Sequence, residues 1–202
     1  MNKARRKRIQ LVERDIVKHD REAIAGCLAG KSQEFRALVE RYQTEALGHA
    51  LVVLGNREDA CDAVQEAFLE AYVALPKFDA ARAFYPWFYV ILRNRCFKLL
   101  GRRKRRPEAG ASGSEQLSLI ASPAEGIGPD LEEALWSLEP GDREIILLKH
   151  MDGLSYAELA ERLAVPLGTV MSRLYHARVR LRQRLEPSSD RIKKEVLHDE
   201  PT

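Results

Sequence analysis

The stretch LSYAELAERLAVPLGTVMSRLYHARVRLRQRL, residues 154–185, predicts two helices joined by a tight turn. Ser155 and Glu158 have the spacing of a capping box, which places a helix start near Tyr156. The segment AVPLG breaks that helix, and we expect a longer helix to restart at Thr169. Its apolar residues recur at helical steps: Val170, Leu174, Ala177, Leu181 and Leu185. Two helices with such a turn form a helix-turn-helix.

The outer surface of the second of these helices is suited to the major groove of DNA. Residues 164–185 include five arginines and no acidic residue. Side chains in the first two turns are placed to reach base edges, and arginines further along are placed for phosphates. The first set is Thr169, Ser172, Arg173 and His176, and the second begins at Arg178. The alternative is an ordinary solvated basic helix, but the capping box, the turn and the lack of acids together favour DNA binding.

Three further amphipathic helices are predicted upstream, between residues 32 and 106. We expect Ser32 to cap the first, Gly55 and Asn56 to end it, and Asn56 to cap the second. Pro76 then ends the second helix, and residues 76–86 form a loop before the third. Because each helix carries one apolar face, we expect the three to pack together as one helical domain.

The third of these helices ends in a basic run and begins among aromatic residues. Arg93, Arg95 and Lys98 lead into RRKRR at residues 102–106, and no acid interrupts the run. Phe78, Tyr85 and Trp87 lie just upstream. Bases of single-stranded DNA stack on aromatic rings while cations meet the phosphates. The group as a whole favours nucleic-acid binding, although Trp87 taken alone is more typical of a core residue.

The second helix of this domain has an acidic outer face, formed by Asp59, Asp62, Gln65, Glu66 and Glu70. Carboxylates repel DNA, so this face is either solvated surface or a docking site for a basic protein partner. With no histidine, serine or phosphate-binding loop nearby, acid–base or metal chemistry has little support.

Charge and composition divide the chain. The net charge is +9 over residues 1–106, −9 over 107–163 and +5 over 164–185. Two basic zones separated in this way predict two contacts with a polyanion. Residues rich in Gly, Ser, Ala and Pro after Arg106 predict a flexible linker. The expected segments are a basic N-terminal extension (1–31), a helical domain (32–106), a linker (107–129), a helix-turn-helix domain (130–186) and a C-terminal tail (187–202).

Several classes of protein are disfavoured. Cys27, Cys61 and Cys96 are widely spaced, odd in number and without histidines at ligand spacing, so we expect reduced thiols in a cytoplasmic protein and no metal site. The basic start lacks the apolar run of a signal peptide, and no stretch approaches the roughly 20 apolar residues that a membrane span needs. We therefore expect no membrane insertion, no cofactor and no catalytic residues.

The sequence resembles the bacterial RNA polymerase sigma factors, in particular the small two-domain extracytoplasmic-function (ECF) group. DACDAVQEAFLEAY at residues 59–72 and WFYVILRN at 87–94 look like region 2 of the family. Residues 154–185 look like region 4. The resemblance covers about residues 35–106 and 131–185, and the order and separation of the motifs make it specific.

The resemblance implies roles for particular residues. Asp62, Gln65, Glu66 and Phe68 match the helix that docks on the β′ subunit of core RNA polymerase. Phe78, Tyr85, Trp87, Arg93 and Asn94 match the part that captures the proximal promoter element. Thr169, Ser172, Arg173, His176 and Arg178 fall where the recognition helix reads the distal element. The chain departs from the usual family residues at Lys98, Met171 and His176.

The predicted protein is thus all-α, with two small helical domains joined by a linker, and acts as a sigma factor rather than an enzyme. Its expected partners are the β′ and β subunits of core RNA polymerase, promoter DNA and, as a further candidate, an anti-sigma factor. A stand-alone helix-turn-helix regulator is the alternative, and it would not need the acidic face. A protein-interaction module controlled by an antagonist is a third, and it would show no salt-dependent affinity for DNA.

Overall fold

The computed structural model describes residues 3–105 and 129–185, with side chains described for 15–104 and 130–185. The chain divides into two compact units, Met1–Ala111 and Ser112–Thr202. Throughout the described residues the regular structure is helical, without a strand, so the predicted all-α class is confirmed. The C-terminal tail and the linker expected over residues 107–129, apart from Pro129, lie outside the described residues.

The described part of the first unit contains four α-helices rather than the three predicted. They are α1 (Lys3–Leu28), α2 (Phe35–Leu54), α3 (Arg57–Ala74) and α4 (Phe84–Arg105), with short 3-10 turns at Ser32–Glu34 and Leu75–Lys77. The additional helix, α1, lies in the range expected to be a basic extension. Its Ala23 and Ile24 are buried in the core of the unit, so this part of the extension is integral to the domain.

The junction between α2 and α3 follows the sequence prediction. Gly55 adopts a left-handed conformation with φ 67°, and its N–H donates to the Leu51 carbonyl. Only glycine takes this conformation readily, which explains the stop. The Asn56 side chain then accepts a hydrogen bond of 3.0 Å from the Asp59 N–H. The prediction for Ser32 was wrong, because Ser32 begins a 3-10 turn and makes no capping hydrogen bond at the start of α2.

The start of α4 lies earlier than the sequence suggested. The predicted loop over residues 76–86 is shortened, because the 3-10 turn continues to Lys77 and α4 begins at Phe84. Pro86 is the third residue of α4, where a backbone N–H would have no partner within the helix, so proline is tolerated there. As a result Phe84 and Tyr85 point into the core, with 1% and 5% of their surface exposed.

The core of the first unit is built on aromatic rings. Phe68 of α3 stacks on Phe88 of α4 with centroids 4.3 Å apart, and Tyr42 of α2 stacks on Tyr85 at 5.0 Å. Phe35 makes edge-on contacts with Phe68 and Phe84 at 6.4 Å each. Each such pair adds about 0.5–1.5 kcal/mol to the burial of the rings themselves. The aromatic cluster thereby fixes α4 against α2 and α3.

A buried carboxylate attaches α1 to α2. Asp20 is only 3% exposed, forms an ion pair with Arg41 and accepts a hydrogen bond of 2.5 Å from the Tyr42 hydroxyl. Burial and the neighbouring Asp20 raise the pKa of Tyr42, so this hydroxyl keeps its proton. A buried charge is tolerated only when it is paired and hydrogen-bonded, and Asp20 meets both conditions.

The second unit contains α5 (Pro129–Trp136), α6 (Pro140–His150), α7 (Tyr156–Leu163) and α8 (Leu167–Leu185). The capping box at the start of α7 is confirmed. The Glu158 N–H donates to Ser155 Oγ at 3.2 Å, and the Ser155 N–H donates to Glu158 Oε2 at 2.7 Å. These hydrogen bonds lower the pKa of Glu158.

The turn between α7 and α8 is tighter than predicted. Ala164 takes a left-handed conformation with φ 53°, and the Val165 N–H closes back onto the Ala160 carbonyl at 3.0 Å. The Pro166 carbonyl then accepts from the Thr169 N–H at 2.9 Å, so α8 starts at Leu167 and not at Thr169. Val170, Leu174 and Ala177 are buried as expected. Leu185 is 44% exposed, and its predicted inward position was wrong.

One buried cation holds the short α5 in place. Arg143 is 5% exposed, and its guanidinium lies 4.1 Å from the centre of the Trp136 ring. It donates to the carbonyls of Trp136 and Leu138, at 3.1 and 3.4 Å, where α5 ends. A cation at the carboxyl end of a helix satisfies carbonyls that lack partners within the helix. Burial lowers the pKa of Arg143 to about 10, which leaves it charged at neutral pH.

Candidate nucleic-acid and partner interfaces

The outward face of α8 carries most of the residues predicted to read DNA. Ser172, Arg173 and His176 are exposed, and Thr169 is half-buried. The buried stripe of α8 packs on α6 and α7, so these four side chains emerge on the side of the helix-turn-helix that is open to a ligand. The geometry agrees with a helix whose amino-terminal half enters a major groove.

The arginines farther along α8 are not equivalent. Arg180 forms an ion pair with Asp142 of α6 and is therefore turned toward its own domain. Arg178 donates toward His150 Nε2 at 3.2 Å. Partial burial, then the charges of Arg178 and Lys149, lower the pKa of His150 and favour the neutral ring that can accept this hydrogen bond. Arg182 and Arg184 are exposed at the end of the helix.

An apolar stripe runs along the open side of α8, and it was not predicted as a stripe from the sequence. Leu167, Met171, Tyr175 and Val179 follow one another at four-residue steps and are 49%, 56%, 65% and 37% exposed. Large apolar side chains in a continuous row on a surface indicate contact with a ligand or partner. The signal was present in the sequence as a second period of four, offset from the buried stripe.

The acidic face of α3 is present, but one of its predicted residues is elsewhere. Asp62, Gln65 and Glu66 are exposed. Phe68 is 6% exposed and stacked on Phe88, so it lies in the core beneath this face, and its assignment to the polymerase contact stays a prediction. Leu69 and Val73 are exposed at 69% and 77%, and helical spacing places them on the same face as the acidic residues. The surface is therefore mixed acidic and apolar.

Ion pairs join this acidic face to the basic run of α4. Arg95 reaches Glu66 and Glu70, with nitrogen–oxygen distances of 3.0 Å to each, and Arg103 pairs with Asp59. The acidic face and the basic run, which are separate in the sequence, thus lie side by side on neighbouring helices. Two of the cations expected to follow a DNA strand are partly neutralised by carboxylates of α3.

The residues predicted to capture the proximal promoter element divide into surface and core. Phe78 and Trp87 are half-buried, with ring centroids 4.8 Å apart. Asn94 is exposed, and the Arg93 guanidinium lies 4.5 Å from the centre of the Phe97 ring. Tyr85 lies in the core, because it is 5% exposed and its hydroxyl lies 2.8 Å from His49 Nδ1, and its assignment to the proximal element stays a prediction.

In the described part of the chain, no group of three or more His, Cys, Asp or Glu side chains is arranged to hold a metal ion. The described helices include none that is both long and apolar enough to cross a membrane.

Comparisons with known proteins follow this division of the chain. Residues 38–106 match the model for sigma-70 region 2, and residues 130–181 match that for sigma-70 region 4. The chain is 33% identical over 174 residues to the ECF RNA polymerase sigma factor SigW of Bacillus subtilis strain 168, covering 77% of this chain and 91% of that protein. The chain belongs to the ECF sigma factors.

A second relative and a solved sigma factor structure support this assignment. The ECF RNA polymerase sigma-E factor of Escherichia coli strain K12 is 34% identical over 176 residues, which is 78% of this chain and 90% of that protein. The sigma factor RpoE of Bartonella quintana, solved in complex with the anti-sigma factor NepR, is 26% identical with a TM-score of 0.60. That match covers 77% of this sigma factor and 99% of RpoE.

Proposed function

We propose that this ECF sigma factor binds core RNA polymerase through α3 and directs transcription from promoters with two upstream elements, the proximal one captured by the first unit and the distal one read by α8. The observation that carries this proposal is the division of charge and exposure among three surfaces, two on the first unit and one on the second. One surface is acidic and apolar, as suits a protein partner, and two others are basic and suit DNA. No chemical step is assigned to the protein itself.

The polymerase contact is assigned to Asp62, Gln65, Glu66, Leu69 and Val73, which define the α3 docking face. Apolar side chains that are 69% and 77% exposed gain most from being covered, and the flanking carboxylates select a basic partner. A regulator that bound only DNA would have no use for this surface. The α3 docking face is therefore what favours the sigma factor over the stand-alone helix-turn-helix regulator.

The proximal element is assigned to Phe78 and Trp87 together with the exposed part of the α4 basic run, around Arg93, Asn94 and Lys98. Unpaired bases can stack on the accessible aromatic surface, and the cations lie on the same helix to follow the phosphates. Tyr85 and Phe68 support this surface from beneath, because both pack on Phe88.

The distal element is assigned to Thr169, Ser172, Arg173 and His176, with Arg178 and the exposed Arg182 on phosphates. Linking two modest DNA contacts in one chain raises the effective concentration of the second contact once the first has formed. Specificity for a pair of spaced elements follows without a tight contact at either one. By analogy with RpoE, an anti-sigma factor is a further partner in this proposal.

The test is run-off transcription with purified core RNA polymerase from the source organism, on fragmented genomic DNA, with start sites mapped. We expect transcripts that depend on the added protein and share two spaced elements. Salt-sensitive binding to duplex DNA without any protein-dependent transcript would instead identify a stand-alone regulator. Absence of both would leave the protein-interaction module.

A charge reversal tests the α3 docking face. Asp62→Lys combined with Glu66→Lys should abolish holoenzyme assembly, measured by co-elution with core polymerase. Binding of duplex DNA through α8 should persist in the same full-length protein. The matched control is Glu22→Lys with Glu40→Lys, which makes an equal change in net charge at exposed positions of α1 and α2. Normal assembly of the first variant would remove this assignment.

A further inference from the structure

The turn between α3 and α4 is closed by its own side chain. Asp79 accepts a hydrogen bond of 2.9 Å from the Ala81 N–H through its carboxylate, and its carbonyl accepts one of 2.9 Å from the Arg82 N–H. An Asp that bonds the backbone two residues ahead is typical of a stable turn. Residues 78–83, here called the α3–α4 turn, are thus an ordered connection.

A residue of α1 holds the same turn from outside. Arg21 Nε donates to the Ala80 carbonyl at 3.0 Å, and Arg21 Nη2 donates to the Ala81 carbonyl at 3.4 Å. These partners are 59 and 60 residues away in sequence. The rigid fork of a guanidinium can donate to two acceptors at once, which the single ammonium of lysine does less well. Arg21 therefore restrains two successive peptide groups of the turn.

The α3–α4 turn begins with one of the aromatic residues assigned to the proximal promoter element. Phe78 starts the turn, and its ring lies 4.8 Å from that of Trp87 and 6.1 Å from that of Phe84. Phe84 is buried and fixed in the core, so the Phe78 ring has a firm base on one side. On the other side, the position of the Phe78 ring depends on the turn backbone, which Arg21 and Asp79 restrain through hydrogen bonds.

We propose that Arg21 is a positioning residue for promoter recognition, which fixes the α3–α4 turn and thereby the Phe78 and Trp87 surface on which an unpaired base stacks. This role rests on the proposed function, in which that surface takes the proximal element. A base stacks best on a surface that is already in place. If the turn were free to move, ordering it on binding would cost part of the binding free energy. Because Arg21 is exposed, its effect falls on geometry more than on the stability of the fold.

The experiment uses the full-length protein as holoenzyme with core polymerase, on a promoter identified by run-off transcription. The template is a pool in which every position of the proximal element is randomised. Wild type, Arg21→Ala and Arg21→Lys are compared by sequencing the transcribed templates. We expect Arg21→Ala to lower discrimination among bases at one or two proximal positions by about tenfold, as for the loss of a pair of charge-assisted hydrogen bonds. Arg21→Lys should fall between the two.

The matched control is Lys18→Ala, one turn earlier on α1. It removes the same charge from a side chain that is 73% exposed and pairs only weakly with Glu22, at 3.9 Å. Its base preferences should equal those of wild type. Asp79→Ala should change the same positions as Arg21→Ala, and the double variant should lose less than the sum, because both residues hold one turn.

Alternative roles of Arg21 predict different results. If Arg21 contacted a phosphate directly, Arg21→Lys would behave as wild type, and Arg21→Ala would weaken all sequences uniformly with a shallower dependence on salt. That result, or unchanged base preferences in Arg21→Ala, would overturn the positioning role. Failure of the wild-type holoenzyme to transcribe would instead overturn the proposed function, so the two failures are distinguishable.

Discussion

The distal surface on α8 and the proximal surface on the first unit place their arginines in different ways. On α8 the predicted base-reading residues share one helix and emerge together, because Val170, Leu174 and Ala177 bury the opposite side. On the first unit the surface is assembled from three helices and a turn. There Arg95 and Arg103 are paired with carboxylates of α3, and Arg21 donates hydrogen bonds to backbone carbonyls of the α3–α4 turn.

This difference shows when the periodicity of the sequence is sufficient to predict a binding surface. A single helix has its faces determined by residue spacing, so a binding face on it is visible in the sequence. A surface built across helices depends on which side chains meet, and those contacts arise only from tertiary packing. Substitutions in the two units should therefore have effects of different kinds.

The largest expected effect is the loss of the aromatic core of the first unit. Phe88 is fully buried, and Phe88→Ala should destabilise that unit by about 3–5 kcal/mol. Hydrogen exchange should show faster exchange of amides throughout α2 and α4. We expect α8 amides to keep the protection that they have in the wild type, and an equal loss there would show that the two units are energetically coupled.

The next effect separates two arginines of α8. Arg173→Ala should cost about 1–3 kcal/mol in binding of the distal element and relax preference at one position, because its exposed side chain is the one we propose to reach a base edge. Arg180→Ala is the control, since Arg180 is paired with Asp142. Binding of randomised duplexes measures both. Equal relaxation in the two variants would contradict the division between them.

A smaller effect should come from releasing a cation in the first unit. Glu70→Gln removes one partner of Arg95 while leaving Glu66 for polymerase. We expect a few-fold gain in affinity for a single-stranded oligonucleotide of the proximal element, corresponding to roughly 0.5–1 kcal/mol. Fluorescence anisotropy at several salt concentrations measures it. Glu40→Gln, which releases Arg36 on α2, is the matched control, and an equal gain there would indicate a general effect of charge.

The smallest expected effect is a pH dependence in the second unit. The pKa of His150 is lowered by burial and by Arg178, so the unfolded chain binds this proton at a higher pH than the folded unit does. Stability from this group is therefore present above the ordinary value of 6.5 and is lost as pH falls through the lowered pKa. Thermal melts of wild type and His150→Gln should diverge below about pH 6.5, and parallel curves would contradict the assignment.

The local elements of the fold could be predicted from the sequence to a large extent. Capping at Asn56 and Ser155, the stop at Gly55 and the buried stripe of α8 all depend on neighbours within a few residues. The start of α4 could not be placed, because Pro86 is compatible with both a loop and a first helical turn. The integration of α1 was also missed, since it depends on Asp20, Ala23 and Ile24 meeting residues of other helices.

In the candidate sites, too, features set by spacing on one helix were predictable, and features set by tertiary packing were not. Ser172, Arg173 and His176 were found by spacing on one helix, as were Asp62 and Glu66. Phe68 shares helical spacing with the buried Val64, Ala67 and Ala71 and lies in the core with them. The burial of Tyr85 was not predicted, because a family motif does not reveal which aromatic side chains face the core. Leu69 and Val73 were overlooked because an apolar residue beside a carboxylate gives no signal until its exposure is known.

The reach of Arg21 across 59 residues also sets an order of events during synthesis. At translation rates of about 5–20 residues per second, α1 leaves the ribosome roughly 3–12 s before the Ala80 carbonyl that it will hold. Tyr42, the hydrogen-bond partner of the buried Asp20, is synthesised sooner, after 22 residues. In the second unit the ion pair of Arg180 with Asp142 spans 38 residues. The first unit must therefore keep α1 available for the longer time, until the turn before α4 has been synthesised.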